Sequence, residues 1–425
     1  MPRPRTPLLR SRAVNRRGFL KTGAGALAAA AIPRPETFNY ILGSQCIGAT
    51  YQFSNETLLV ETAQALLDMG SNVIKFTMGR GYERIMLKAT RSAFPETIQY
   101  LLNQGAAAAT KPRWQMPGAT PASMPPDPSI RTLSDLAARE PSYRRVFRMP
   151  FAYYLIWTYA FTPDWWLDGF SPASREREYA EIHALAAHLL KTYSGSGKSF
   201  FLGHWEGDWH LRPWQLPWLK AANPGASVMS ANLQNMIDWL SVRQKAIEDA
   251  KRATPHHAVE VYQYTEANLV QEAIAGGPTV ARDVIPNVDI DYVSYSTYDS
   301  LGDIANKLPP ALDYLASRLR PKPSIKGPRV FVGEYGFPAR TYSEAERDRR
   351  SRQVMRIGLE RACPFILCWQ MYNNEYSEGA ENGYWLIDDK GSKTPLWQTH
   401  HDFYAAARQY RGTPADFPRF ALQWL

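Results

Sequence analysis

The sequence predicts an α/β fold, a single (β/α)8 TIM barrel, on three observations. Short runs rich in β-branched and aromatic residues recur along the chain, amphipathic stretches separate them, and no break interrupts the rhythm. Near-continuously apolar strands alternating with helices indicate parallel strands buried on both faces. Eight such runs suit a closed barrel better than an open doubly wound sheet. No G-x-G-x-x-G follows the first run, so nothing supports a dinucleotide site and no cofactor is implied.

The strands are expected at Tyr40–Cys46, Asn72–Met78, Arg145–Met149, Ser199–Gly203, Ala258–Tyr264, Ile290–Ser294, Arg329–Gly333 and Phe365–Gln370. Helices are expected at Asn55–Met69, Ser174–Lys191, Met229–Ala253, Pro309–Leu319 and Ser343–Arg361. Asn55 or Ser54 would cap the first helix and Gly70 would end it. The one irregular stretch, Gly105–Pro128, is rich in Ala and Pro and reads as a surface excursion. Tyr193–Ser199 (YSGSGKS) ends like a phosphate loop, but Thr192 stands where that motif needs Gly, and a strand follows it where one should precede.

The formal charge of +9 suggests a nucleic-acid binder until its location is examined. Residues 1–33 hold Arg3, Arg5, Arg10, Arg12, Arg16, Arg17 and Lys21 with no acidic residue. Removing those seven cations leaves the body at +2, which needs no nucleic acid as partner. The same segment runs Asn15-Arg16-Arg17-Gly18-Phe19-Leu20-Lys21 into TGAGALAAAAI and resembles a twin-arginine signal peptide. The expected organisation is therefore an export signal at 1–33 and one catalytic domain at 34–425, periplasmic or extracellular. The apolar stretch is too short to span a bilayer well. Cys46, Cys363 and Cys368 form neither a disulfide framework nor a metal pattern, and read as small core hydrophobes.

In a barrel, reactive side chains lie at the C-terminal ends of strands. Glu206 stands where the run FFLGHWEGDW turns polar, and Glu334 follows Val330–Gly333 in VFVGEYGFP. A charge directly after a buried run is costly unless it is paired or used. Each glutamate is therefore a candidate for a task beyond packing.

With GHWEGD, VGEYGFP, ILCWQMYNNE and the closing GYWLIDDKGSKTPLW, the chain resembles the retaining glycoside hydrolases of the (β/α)8-barrel clan that includes cellulases, mannanases and xylosidases. The resemblance covers essentially all of residues 34–425. It implies Glu206 as acid/base, Glu334 as nucleophile and Trp369 beneath the sugar. The clan's Asn-Glu-Pro on strand four is here Trp205-Glu206-Gly207, and Lys75 stands near the clan's strand-two Arg.

Retention needs two carboxyl groups roughly 5–5.5 Å apart. Glu206 is expected to hold a proton, its pKa raised by burial against Trp205 and Trp209. Glu334 is expected to stay ionised, held by Tyr295 or Tyr298 and by Lys75. Sugars present apolar C–H faces, so Trp205, Trp209, Tyr264, Tyr335, Trp369 and Tyr372 are candidate platforms. Glu266, Asn373 and Glu375 are candidates for binding hydroxyls.

Two rival readings stay open at this stage. His204, Glu206, Asp208 and His210 alternate at period two and would share one face of an extended strand, where they could hold a zinc or manganese ion. A carbohydrate-binding barrel without catalysis is the other.

Overall fold

The computed structural model describes residues 39–79, 82, 127–161, 166, 169–212, 229–377 and 380–425. The signal at 1–33 and nearly all of the excursion at 105–128 lie outside them. Eight parallel strands close into one barrel in chain order: β1 (Leu42–Cys46), β2 (Val73–Gly79), β3 (Tyr153–Tyr159), β4 (Lys198–Gly203), β5 (Val259–Ala267), β6 (Tyr292–Ser296), β7 (Val330–Tyr335) and β8 (Ile366–Cys368). β1 closes the ring against β8, with Leu42 opposite Ile366 and Ser44 opposite Cys368. Among the described residues, no helix is long and apolar enough to cross a membrane.

Seven of the eight expected strands lie where the sequence puts them, and the third does not. Arg145–Met149 belongs to the helix Pro141–Arg148, and the third strand is Tyr153–Tyr159. The helix wins because Glu140 caps it by accepting from the Tyr143 N–H, and Pro141 fixes its first turn. Its apolar residues Tyr143, Val146 and Phe147 then fall at helical spacing and are buried.

The first helix runs Leu58–Met69 and ends, as expected, at Gly70, whose φ of 107° is the left-handed conformation that glycine adopts freely. Neither Ser54 nor Asn55 caps it. The Ser54 N–H instead donates to Glu61 in the first turn (2.7 Å). The fourth helix begins at Ile304, upstream of Pro309. The three cysteines are free and buried, and burial pushes each thiol up to about 12.

Alternation along the strands separates two cores. Val73, Leu155, Trp157, Phe201, Tyr264 and Phe331, with their neighbours, fill the barrel interior. The opposite faces of the strands pack against the helices. Small residues make room for large ones inside: a Cβ on Gly203 would sit 2.2 Å from the ring of Tyr264. Interiors packed this tightly do not absorb an extra methyl without displacement.

Gly203→Ala is therefore expected to destabilise the fold by roughly 1–3 kcal/mol. Gly302→Ala, where the added carbon would meet nothing within 4 Å, is the matched control. Denaturant unfolding of the two variants against the native chain measures this. Equal stability of the two would contradict the packing described.

Candidate active site

A break in the alternation aims the key side chain. β7 pairs with β6 as Ser294–Phe331 and Tyr295–Val332, then Ser296–Glu334. One residue of β6 thus spans two of β7, a bulge that makes Gly333 the extra residue. Without it Glu334 would point at the helices. With it Glu334 turns into the barrel and Tyr335 turns out, toward Cys368 and Tyr404. Glycine is required at the bulge, since a Cβ there would lie 1.7 Å from the Ser294 Oγ.

Glu206 closes the end of β4 and stands as the residue before the short helix Gly207–Leu211. Trp209, one turn along, donates its Nε1–H back to Glu206 Oε2 (2.6 Å). Both glutamates are under a tenth exposed, Glu206 at 7% and Glu334 at 3%. Lys75 rises from β2 between the strands and is fully buried. It donates to Glu266 Oε2 (2.9 Å) and to the Gly333 carbonyl (3.0 Å), and lies 3.8 Å from Glu334 Oε2. Its ammonium also sits 4.4 Å from the centre of the Trp157 ring. Glu334 Oε2 has no hydrogen-bond donor among the described residues.

The two carboxyls are held at different acidities. Burial raises Glu206 well above the ordinary carboxylate range, and the charges of Glu334 and Glu266 raise it further. Burial also raises Glu334, to about 8, but there Lys75 pulls in the opposite direction. Tyr298 favours the ionised form of Glu334 as well, although its hydroxyl falls short of a well-formed hydrogen bond. Glu206 is thus the last of the pair to give up its proton. The expectation of a protonated Glu206 agrees with this; the expectation that Glu334 stays ionised does not, because its burial outweighs the pull of Lys75 and raises it to about 8.

The fold brings together Lys75, Glu206, Trp209, Glu266, Tyr298, Glu334 and Trp369. Trp369 faces inward, with its ring centre 6.1 Å from that of Trp157, and donates its Nε1–H to Glu375 Oε1 (2.8 Å). Trp205 is half-buried at the same mouth, its backbone N–H donating to the Tyr159 hydroxyl (2.8 Å). Glu375 and Tyr384 act electrostatically on Tyr298 and so border the site.

Other candidates are corrected. Tyr295 faces the helices, with its hydroxyl bonded to Ser300 (2.5 Å) and to Asp299, because Ser294 takes the inward position on β6. Tyr335 faces outward beyond the bulge. Tyr372 packs with Tyr51 and Phe53 outside the barrel. Tyr264 points inward but serves as interior packing beneath Gly203. Asn373 shapes a loop, its Oδ1 accepting the N–H groups of Gly383 and Tyr384 (both 3.1 Å). Glu266 is fully buried with both oxygens engaged by the protein, so it is no ligand for a sugar hydroxyl.

The row from His204 to His210 does not form, because Gly207–Leu211 is helical and the period-two register is lost. Asp208 accepts the backbone N–H groups of Asn268, Leu269 and Val280. His204 shares a hydrogen bond with the Thr265 hydroxyl (2.8 Å), and burial lowers both histidines to about 3. Among the described residues, no group of three His, Cys, Asp or Glu is arranged to hold a metal.

Sequence reasoning passed over Trp157, Ser294 and Gln45. Trp157 was hidden by the misplaced third strand. Ser294 was legible, since alternation in YVSYS sets it two residues after the inward Tyr292. Gln45 donates to the Gly333 carbonyl (3.2 Å), a contact between distant strands that carries no local signal.

No protein-family model matches the chain, and neither does any curated protein. Solved structures do. A family 5, subfamily 18 glycoside hydrolase from Bifidobacterium longum subsp. longum is 13% identical, over 87% of this chain and 79% of its own, with a TM-score of 0.49. A β-glycosidase is 11% identical, over 89% and 99%, with a TM-score of 0.49. A family 39 glycoside hydrolase from the gut symbiont Bacteroides cellulosilyticus is 12% identical, over 88% and 65%, with a TM-score of 0.47. Residue roles do not transfer by position at such identities.

The raised acidities have a consequence for stability. A glutamate is ordinarily half-protonated near pH ~4.3, so between that value and about 8 the native protein holds a proton on Glu334 that the unfolded chain has released. The native state then binds more protons, and stability falls as pH rises through this window. Glu206 adds the same sign. Glu334→Gln removes its share of that slope, so the variant should gain on the native protein from pH 5 to pH 9, by on the order of 4 kcal/mol. Thermal melts across that range measure it, and a difference that does not change with pH would contradict the assignment.

Proposed function

We propose that the chain is a glycoside hydrolase that cleaves O-glycosidic bonds of a poly- or oligosaccharide with retention of configuration. Glu334 is the nucleophile and Glu206 the general acid/base. The observation that carries this reading is a pair of buried carboxyls, at the mouth of one barrel, whose unequal surroundings hold the proton on Glu206 longest.

In the first step Glu334 attacks the anomeric carbon while Glu206 protonates the departing oxygen. The glycosidic bond breaks and a glycosyl ester forms on Glu334. Esterification removes the Glu334 charge, one of the causes that raise Glu206. Glu206 therefore becomes a stronger acid once it has given up its proton, and can remain the carboxylate that deprotonates water in the second step. Glu334 Oε2 is approached by Lys75 at 3.8 Å but accepts no well-formed hydrogen bond among the described residues, which supports the choice of nucleophile. Trp205, Trp209 and Trp369 supply indole surfaces for the C–H faces of a sugar. The same reading includes export through the twin-arginine route to the periplasm or the medium, on the strength of Arg16-Arg17 and the apolar stretch after it.

Two variants test the pair. Glu334→Ala should lower turnover of every glycoside by about 10^4-fold or more. Azide should then restore cleavage of an activated substrate, with inverted product. Glu206→Ala should spare substrates with good leaving groups and cripple those with poor ones. Azide there should give retained product, and the basic limb of the pH–rate profile should vanish. Near-native rates in both variants would overturn the pair. Sugar binding by the native protein without turnover would favour a non-catalytic barrel.

A further inference from the structure

Glu266 is a fully buried carboxylate at the barrel mouth that the hydrolytic scheme leaves without a task. Its Oε1 accepts the backbone N–H of Glu206 (3.1 Å). Its Oε2 accepts from Lys75 Nζ (2.9 Å) and from Ser294 Oγ (2.8 Å). Lys75 in turn donates to the carbonyl of Gly333, the peptide immediately before Glu334, and sits 3.8 Å from the Glu334 carboxylate. One side chain on β5 thus touches the backbone of one catalytic glutamate and, through a single lysine, the backbone and charge of the other.

We propose that Glu266 is a positioning residue that ties Glu206 to Glu334, fixing the peptide of the acid/base directly and drawing the Lys75 ammonium away from the nucleophile. The proposal rests on the hydrolase reading for its meaning and on the geometry alone for its existence. The 2.9 Å and 3.8 Å contacts divide Lys75 unequally between two carboxylates, with the larger share going to Glu266. A lysine fully committed to Glu334 would hold it as an ordinary ion pair and blunt it as a nucleophile. The committed Glu266 prevents this and adds a negative charge beside both partners. Glu334 is also faced by Tyr298 after β6 and Glu375 after β8, and Glu206 by Trp209 on its own helix. Glu266 is the only one of these that is bonded to both Lys75 and the Glu206 backbone. The need for glycine at 333 follows from the same knot, because a Cβ there would displace Ser294 and come within 3.3 Å of Glu266 Oε2.

The test is Glu266→Gln in the full chain, an isosteric change that can still accept the Glu206 N–H but cannot hold an ammonium as a carboxylate does. Titration of carboxyl-13C-labelled glutamates by NMR requires no substrate. The resonances assigned by Glu206→Gln and Glu334→Gln should both move to lower pKa in Glu266→Gln, that of Glu334 by about one unit or more as Lys75 transfers to it. Where the native protein turns over an aryl glycoside, the acid limb of its pH–rate profile should move to lower pH by the same amount. If Glu266→Gln does not fold, Glu266→Asp keeps the charge while shortening the reach, and should move Glu334 in the same direction by less. Unmoved titrations in the folded variant, with a fall in rate alone, would reduce Glu266 to a structural residue and overturn the proposal. Moved titrations in a protein that cleaves no glycoside would keep the positioning role and remove the hydrolase reading.

Discussion

Three glutamates, Glu206, Glu266 and Glu334, are buried around one lysine at the mouth of a closed barrel, and the site depends on how that imbalance is met. Burying an unpaired carboxylate is expensive, and a single ammonium cannot neutralise three of them. The structure commits Lys75 mainly to Glu266 and leaves the remaining pair short of positive charge. The shortfall is made up with protons. Both Glu206 and Glu334 have carboxylate neighbours that favour the proton, but Lys75 opposes this more strongly at Glu334, which therefore releases first. The two carboxyls are thereby distinguished by surroundings and not by residue type.

The scaffold reaches this arrangement through local departures from regularity. The bulge at Gly333 turns Glu334 inward against the strand's own alternation, and absence of a side chain there leaves space for Ser294 and Glu266. Gly203 admits the Tyr264 ring beneath the site in the same way. A rigid interior of Leu155, Phe201, Tyr264 and Phe331 supports the carboxyls from below. Behind β4, Arg243 donates to the carbonyls of Thr158 (3.0 Å) and Gly203 (3.2 Å), pinning the ends of β3 and β4 next to Glu206.

Much of the barrel was legible because buried parallel strands write themselves as apolar runs, and seven of the eight stood out in this way. The third was misread because Val146, Phe147 and Met149 cluster within Arg145–Met149, whereas the cap at Glu140 and proline at 141 make the segment helical. Glu206 and Glu334 were legible as charges at the ends of buried runs, and Lys75 and Trp369 were reached through the resemblance to the clan's strand-two Arg and strand-eight Trp. The roles of Tyr295 and Tyr335 were not, since which of two adjacent residues faces inward depends on register and on a bulge that no local pattern reveals. Glu266 was picked out but given the wrong task. Its partners Lys75, Ser294 and the Glu206 peptide lie 191, 28 and 60 residues away, distances over which sequence patterns are silent.

The most direct measurement is to trap the glycosyl–enzyme. An activated 2-deoxy-2-fluoro glycoside slows both steps, and a good leaving group lets the first proceed, so a covalent ester accumulates on the nucleophile. Peptide mass spectrometry then locates the added sugar. The expected result is one sugar per chain, attached to Glu334, with Glu206 unmodified. Attachment to Glu206, Glu266 or any other residue, in a protein that cleaves the parent glycoside, would contradict the assignment of the nucleophile.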